Sequence, residues 1–86
     1  MNISFTPKGW TGYTYWQMHN RKMVDKINSL VTDIVRCGNG GLGKPEALKG
    51  NMSGWWSRRI DDENRLVYRI VDDNIEIAQC RGHYGD

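Results

Sequence analysis

The spacing of apolar residues changes from a helical to a strand period near the middle of this chain, and that change constrains the fold most. From Met23 to Val35, apolar residues recur every three or four positions, which predicts an amphipathic helix capped by Asn20 and ended by Gly38. A glycine-rich stretch at 38–54 follows, and it is predicted to be a loop. Strands are predicted at three places after it: 55–60, 65–71 and 75–81.

The beginning of the chain adds one strand and one helix. Ile3 and Phe5 alternate with polar residues, which predicts a short strand, and Thr6-Pro7 has the hydroxyl cap and first-turn proline of a helix start. The aromatic side chains of this helix share one face and are expected in the core: Trp10, Tyr13 and Trp16. The order β-α-α-β-β-β predicts an α+β fold, with both helices packed on one face of a mostly antiparallel four-stranded sheet. We expect residues 1–86 to form one domain.

Composition excludes several classes of protein. With 86 residues and a net charge of +2, the chain is too mildly basic to indicate nucleic-acid binding from its charge alone. It has no apolar run of the roughly 18 residues that a membrane span needs and no signal peptide, so we expect a cytoplasmic protein without membrane contact. Cys37 and Cys80 are too few to staple a secreted scaffold.

Strand periodicity sorts the charged residues by face. In the strand at 65–71, Arg65 and Arg69 alternate with an apolar set, and in the last strand Arg81 and His83 alternate with Cys80. If the helices cover the apolar set, the opposite face holds these three arginines and the histidine. Such a face is a candidate surface for phosphate. The adjacent Arg58 and Arg59 must point to opposite faces, and parity places Arg59 with the site and Arg58 in a structural role.

Two tempting sites are rejected. Residues 38–44 match the first seven positions of a phosphate-binding GxxxxGK[ST] loop, but Pro45 replaces the required hydroxyl and the segment follows a helix instead of a strand. The cysteines and histidines do not have the spacing of metal ligands, so we predict neither a metal nor a cofactor. Cys80 is expected to be a buried packing residue.

A third set of residues suits cleavage of RNA without a metal. That reaction needs a base for the 2′-hydroxyl proton, an acid for the departing 5′-oxygen and cations on the phosphorane between them. Carboxylate, imidazole and guanidinium groups are suitable residue types. The candidates are Glu46, Lys49, Arg59, Arg65, His83 and Tyr84. Without further context, the same residues are equally compatible with an ordinary charged surface.

These candidates lie in segments that resemble a known family. The matching segments are GKPEALK at 43–49, SGWWSRRI at 53–60, RLVY at 65–68 and CRGHY at 80–84. Together they resemble the YoeB/Txe toxins of the RelE superfamily, and the resemblance runs almost from end to end. It departs from the family pattern at Gly82, where a bulkier residue is usual, and at Gly85-Asp86, which follow the tyrosine at which typical members stop.

The resemblance implies the toxin of a type II toxin–antitoxin pair, an endonuclease that cuts mRNA in the ribosomal A site and leaves a 2′,3′-cyclic or 3′-phosphate and a 5′-hydroxyl. It implies three partners: a cognate YefM/Phd-like antitoxin, mRNA, and the bacterial ribosome through its small subunit and rRNA. A homodimer is left open. Glu46 would be the general base, His83 the general acid and Arg65 the transition-state cation. Lys49 and Arg59 would bind phosphate and the mRNA backbone. Tyr84 would be a further catalytic residue that orients the nucleotide or supports the proton transfer.

Other functions remain to be weighed against this one. A ParE-like toxin shares the architecture and acts on DNA gyrase, but it needs no acid–base pair such as Glu46 and His83. A catalytically inactive, antitoxin-binding homologue would be expected to have lost those two groups, and both are present. A secreted ribonuclease is disfavoured by the missing signal peptide and disulfides.

Overall fold

The computed structural model describes residues 1–83, and the predictions on Tyr84, Gly85 and Asp86 lie outside the described residues. The elements are, in order, β1 (Asn2–Phe5), α1 (Pro7–His19), α2 (Arg21–Cys37), β2 (Glu46–Ala47), a 3₁₀ turn (Gly50–Met52), β3 (Trp56–Arg59), β4 (Arg65–Val71) and β5 (Asn74–Gln79). The predicted order of helices and strands is therefore confirmed, with one further short strand.

Local sequence signals begin and end both helices. The hydroxyl of Thr6 accepts the backbone N–H of Gly9 at 3.1 Å, and the side chain of Asn20 accepts that of Lys22 at 3.2 Å. At the end of α2, Gly38 takes a positive φ of 62° and donates its N–H to Ile34 O at 2.8 Å. All three predicted helix boundaries are confirmed.

The sheet has one strand more than expected. In the described chain its strand order is β1-β5-β4-β3-β2, with β1 parallel to β5 and the other neighbours antiparallel. The prediction of four strands was wrong because Glu46 and Ala47, placed in a loop, pair with Ser57 and Trp56 of β3. A strand of two residues has too little periodicity to be recognised; it exists because β3 offers it an edge.

Both helices pack on one face of this sheet. The core joins the apolar side of α2 to β4 and β5, and its fully buried members include Ile27, Ile34, Leu66, Tyr68 and Ile77. Helix α1 approaches β5 through glycines, since a β-carbon at Gly9 would collide with the carbonyl oxygen of Ile77. This close approach places α1 against the strand that leads to His83.

The predicted core is correct for most positions and wrong for two. Tyr13 and Trp16 pack partly buried against the core, but Trp10 is 52% exposed and stacks on Tyr13 at the surface. Val35, at the end of the apolar pattern of α2, is also exposed. No helix within residues 1–83 is both long and apolar enough to cross a membrane.

Candidate active site

A bulge in β5 determines which side chains reach each face of the sheet. Val67 pairs with Gln79 and Tyr68 pairs with Ile77, so Ala78 has no partner on β4. The extra residue lets both Ile77 and Cys80 face the helices. It leaves Gln79 on the opposite face, whereas strict alternation from Ile77 would have turned it toward the helices.

The cross-strand register brings the candidate base into line with three other strands. Glu46 lies opposite Ser57, Ser57 opposite Val67, and Val67 opposite Gln79. Directly paired residues point to the same side of a sheet, with β-carbons typically about 4.5–5.5 Å apart. Glu46 is exposed, whereas the other three are buried. Glu46 therefore stands at the solvent end of a buried row.

Two arginines occupy the next row on the same side. Arg59 pairs directly with Arg65, and both lie two residues from the row of Ser57 and Val67. We call this helix-free side, with Glu46, Arg59 and Arg65, the open face. Like charges directly opposite one another are unfavourable unless an anion lies between or above them. The pair therefore makes this part of the open face locally positive.

The guanidinium of Arg65 is oriented by the turn that precedes it. Its Nη1 donates to the carbonyl oxygens of Asp61 at 2.6 Å and Asn64 at 3.1 Å. A phosphate must therefore be met by the other N–H groups of the fork. The side chain of Arg59, by contrast, is 45% exposed, and its one ion pair within residues 1–83 is a long contact of 3.8 Å with the exposed Asp62.

His83 lies beside Arg65 through the backbone. The N–H of Arg65 donates to the carbonyl of Gly82 at 2.9 Å, and His83 is the next residue and is exposed. Lys49 is exposed and follows β2, but the pairing of that strand with β3 ends at Leu48, so the sheet does not fix the side on which Lys49 lies.

Two expectations about placement need correction, and a third residue is where it was predicted but is already engaged. Glu46 belongs to a paired strand, not to a mobile loop. Arg81 lies over the ring of Tyr15 in α1, 3.5 Å from its centroid, because the chain leaves the sheet after Gln79, and so it does not join the open face. Arg69 stays on the open face but is engaged there by Glu76 at 2.7 Å and by the ring of Trp55.

Arg58 is a structural residue, as its parity predicted. Its side chain is completely buried among the helices, where it donates to Asp33 at 2.6 Å and to Tyr68 at 3.1 Å. It also donates to three backbone carbonyls of the glycine-rich segment: those of Gly38, Gly40 and Leu42. One arginine thus fixes the whole turn that leads from α2 toward β2.

The charges of this cluster are mutually stabilised. The N–H of Leu42 and the guanidinium of Arg58 hold the pKa of Asp33 below its usual value. Burial opposes the charged form of Arg58, but the hydrogen bonds to Tyr68 and Asp33 outweigh it and the pKa of Arg58 is raised. The cluster therefore stays ionised in the folded protein.

The buried cysteine and the possible metal ligands of residues 1–83 can be assessed in turn. Burial raises the pKa of Cys80 to about 12, so its thiol stays neutral and does not act as a nucleophile. Within residues 1–83, no three His, Cys, Asp or Glu side chains are grouped to hold a metal ion.

Sequence reasoning missed the residues that hold the segment bearing His83. Asn64 accepts the N–H of Gly82 at 2.8 Å, Gln79 donates to the carbonyls of Arg81 and His83, and Trp16 donates to Cys80 O at 2.9 Å. Asn64 falls between the strands predicted at 55–60 and 65–71, and the sequence predicts no role for it in the site. Its position directly before Arg65 was the one feature of the sequence that could have pointed to a role near the site.

The chain was compared with known families and proteins. Residues 5–84 match the family described as the YoeB-like toxin of bacterial type II toxin–antitoxin systems. Among curated relatives, the toxin YoeB of Streptomyces coelicolor is 52% identical over 98% of this chain and 100% of its own length. The toxin YoeB of Escherichia coli K12 is 49% identical with the same coverage of both chains.

Solved structures agree with this match. A YoeB/ParE toxin from Agrobacterium tumefaciens superposes with a TM-score of 0.95 at 46% identity, covering 98% of this chain and all of its own. YoeB in a heterotetrameric YoeB–YefM complex from Staphylococcus aureus gives a TM-score of 0.92 at 49% identity, with 98% of each chain covered. YoeB from the same organism has also been solved as a dimer, with the same score, identity and coverage.

Proposed function

The chain belongs to the family of YoeB-like toxins of bacterial type II toxin–antitoxin systems, and from this premise we propose that it is an endoribonuclease that cuts mRNA in the A site of the bacterial ribosome. Residues 1–86 would act as one toxin domain. One observation carries the proposal: the register places Glu46 on the same face as the paired Arg59 and Arg65, with His83 directly after the residue bonded to Arg65.

The reaction needs one proton taken and one proton given. Glu46 accepts the proton of the 2′-hydroxyl, whose oxygen then forms a bond to phosphorus. The bond from phosphorus to the 5′-oxygen breaks, and His83 protonates that oxygen. The products are a 2′,3′-cyclic phosphate, which water can open to a 3′-phosphate, and a 5′-hydroxyl. The exposure of Glu46 on the open face, and of His83 next to the residue bonded to Arg65, suits groups that must meet an RNA strand from solvent.

The cations have different tasks. Arg65, whose Nη1 is held by the turn at Asp61 and Asn64, presents its remaining donors to the phosphorane and is already oriented before substrate binds. Arg59 and Lys49 are exposed and suit contacts with the RNA backbone, where a mobile cation is sufficient. Tyr84 is proposed to orient the nucleotide.

The ribosome is proposed to supply what the open face lacks. The face offers groups for phosphate and for proton transfer but few that read bases, so positioning of the codon must come from the decoding site. We also propose that a YefM/Phd-like antitoxin binds this chain, because the homologous S. aureus toxin has been solved with YefM. Self-association, seen in the S. aureus dimer, is checked by sedimentation of the purified protein.

The test is primer extension on mRNA-programmed bacterial ribosomes incubated with purified protein. We expect cleavage within the A-site codon that requires both the ribosome and His83, so that H83A leaves the mRNA intact. The matched control is H19A, since His19 is the other histidine of the chain and its ring packs at a tilt against Tyr15 in α1.

The contrary outcomes separate the alternatives. If the protein binds ribosomes and antitoxin but cuts no mRNA, the alternative of a catalytically inactive homologue would be favoured. Failure to bind ribosomes, together with inhibition of gyrase, would favour a ParE-like action. Cleavage by H83A at the rate of H19A would remove His83 from the mechanism.

A further inference from the structure

The segment that bears His83 is not part of the sheet. Strand β5 ends at Gln79, and residues 80–83 continue without a ladder of backbone hydrogen bonds to a neighbouring strand. Gly82 also takes a positive φ of 83°, a conformation that glycine adopts without strain. The position of His83 therefore depends on the individual side-chain and backbone bonds that hold this segment.

One of these bonds forms a direct bridge to Arg65. The side-chain oxygen of Asn64 accepts the N–H of Gly82 at 2.8 Å, while the N–H of Arg65 donates to the carbonyl of Gly82 at 2.9 Å. Both polar groups of the Gly82 backbone are thus bonded to consecutive residues of the turn. Asn64 is only 8% exposed, so water competes weakly for its amide.

Asp61 fixes the direction of that amide. The nitrogen of the Asn64 side chain donates to the Asp61 carboxylate, at 3.0 and 3.3 Å from its two oxygens, so its oxygen must point toward Gly82. The same carboxylate accepts the backbone N–H groups of Glu63 and Asn64. Burial favours the neutral acid, but these donors outweigh it and hold the pKa of Asp61 below its usual value.

From these contacts we infer that Asn64 is a positioning residue for RNA cleavage, holding His83 at a fixed place relative to Arg65 through its bond to Gly82. This inference rests on the proposed function. The same turn also orients the guanidinium of Arg65, so one structural unit sets both the cation and the acid. A displacement of about 1 Å in a reacting group can lower a rate by about a hundredfold.

The first measurement is the single-turnover rate of cleavage on programmed ribosomes. We expect N64A to cut about 10–100 times more slowly than wild type, while the ribosome concentration that gives half the maximal rate changes by less than about twofold. The matched control is N74A, because the side-chain amide of Asn74 donates a partly buried hydrogen bond to the hydroxyl of Ser4 at the other end of β5. N74A should retain the wild-type rate within about twofold.

A rescue pair separates positioning from a general loss of folding. N64D places a second carboxylate against Asp61 and should cleave as slowly as N64A. Adding D61N restores one amide facing one carboxylate and leaves an oxygen for Gly82, so D61N/N64D should recover most of the rate. Thermal unfolding of every variant shows whether it is folded at the assay temperature.

Hydrogen exchange of the Gly82 amide distinguishes failure of this inference from failure of the proposed function. If wild-type protein leaves the mRNA on programmed ribosomes uncut, the proposed function is contradicted, whereas slow exchange at Gly82 that becomes fast in N64A would still establish the bond from Gly82 to Asn64. The inference itself is overturned by an unprotected Gly82 in wild type, by N64A cutting as fast as N74A, or by a folded D61N/N64D double variant that cuts no faster than N64D.

Discussion

The two faces of the sheet use neighbouring arginines in opposite ways. Arg58, on the helix side, has no exposed surface and donates to Asp33, Tyr68 and backbone carbonyls. Arg59, on the open face, is 45% exposed and, among the described residues, makes one long ion pair, with the almost fully solvated carboxylate of Asp62. The difference shows that a guanidinium saturated by protein acceptors stabilises the fold, whereas one left unsaturated beside another cation is available to a ligand.

The largest effect on stability should come from Arg58. R58M fits the space but leaves Asp33 and the carbonyls of the glycine-rich segment without their donor, so we expect the free energy of unfolding to fall by about 3–5 kcal/mol. Urea denaturation measures it. R59M is the matched control and should change stability by less than about 0.5 kcal/mol, because exposed ion pairs contribute little. A loss below about 1 kcal/mol in R58M would mean that the buried cluster is not what holds this segment.

On the open face, Arg65 should affect rate more than stability. Removing one preorganised donor to a developing charge typically costs about 10²–10³ in rate, so we expect R65A to slow single-turnover cleavage by that factor. R69A removes another arginine of the same face, one already engaged by Glu76 and Trp55, and should cleave within about twofold of wild type. Equal losses in both variants would indicate that the face contributes general charge and no positioned cation.

A smaller effect is expected on how stability depends on pH in acid, where D61N and D62N should differ. Asp61 has a lowered pKa in the folded state, so its contribution to stability is present above the unfolded value of about 4 and is lost as the pH falls through the folded value. D61N should therefore flatten the decline in stability below about pH 4, as measured by urea unfolding across pH. Asp62 is almost fully exposed, so D62N should leave the slope as it is in wild type. Identical curves for D61N and wild type would remove Asp61 from the acid response.

Local signals explain why much of the fold was predictable. The caps at Thr6, Asn20 and Gly38 depend on residues within a few positions of one another, and each lies where the sequence predicts it. Strand β2 was missed because its two residues acquire a strand conformation only by pairing with β3. The exposure of Trp10 was also missed, since spacing alone does not show which end of a stripe the core covers.

In the candidate site, too, the placements set by local sequence could be predicted and those set by distant contacts could not. Alternation along one strand correctly separated Arg58 from Arg59, because parity is a local property. The alignment of Glu46 with the open face required the register between β2 and β3. The bond from Asn64 to Gly82 joins residues 18 positions apart, and no local pattern announces it.

The most direct test of the open face as an RNA-cleaving site replaces the attacking group of the substrate. Ribosomes are programmed with mRNA that carries a single deoxyribose at the cleaved nucleotide of the A-site codon, and the rate is compared with that of the all-ribose message. Attack by the 2′-hydroxyl, activated by Glu46, predicts that cleavage at this bond disappears while binding to the ribosome is unchanged. Cleavage of the deoxy-substituted message at the normal rate would contradict the mechanism, because no 2′-oxygen would then be needed.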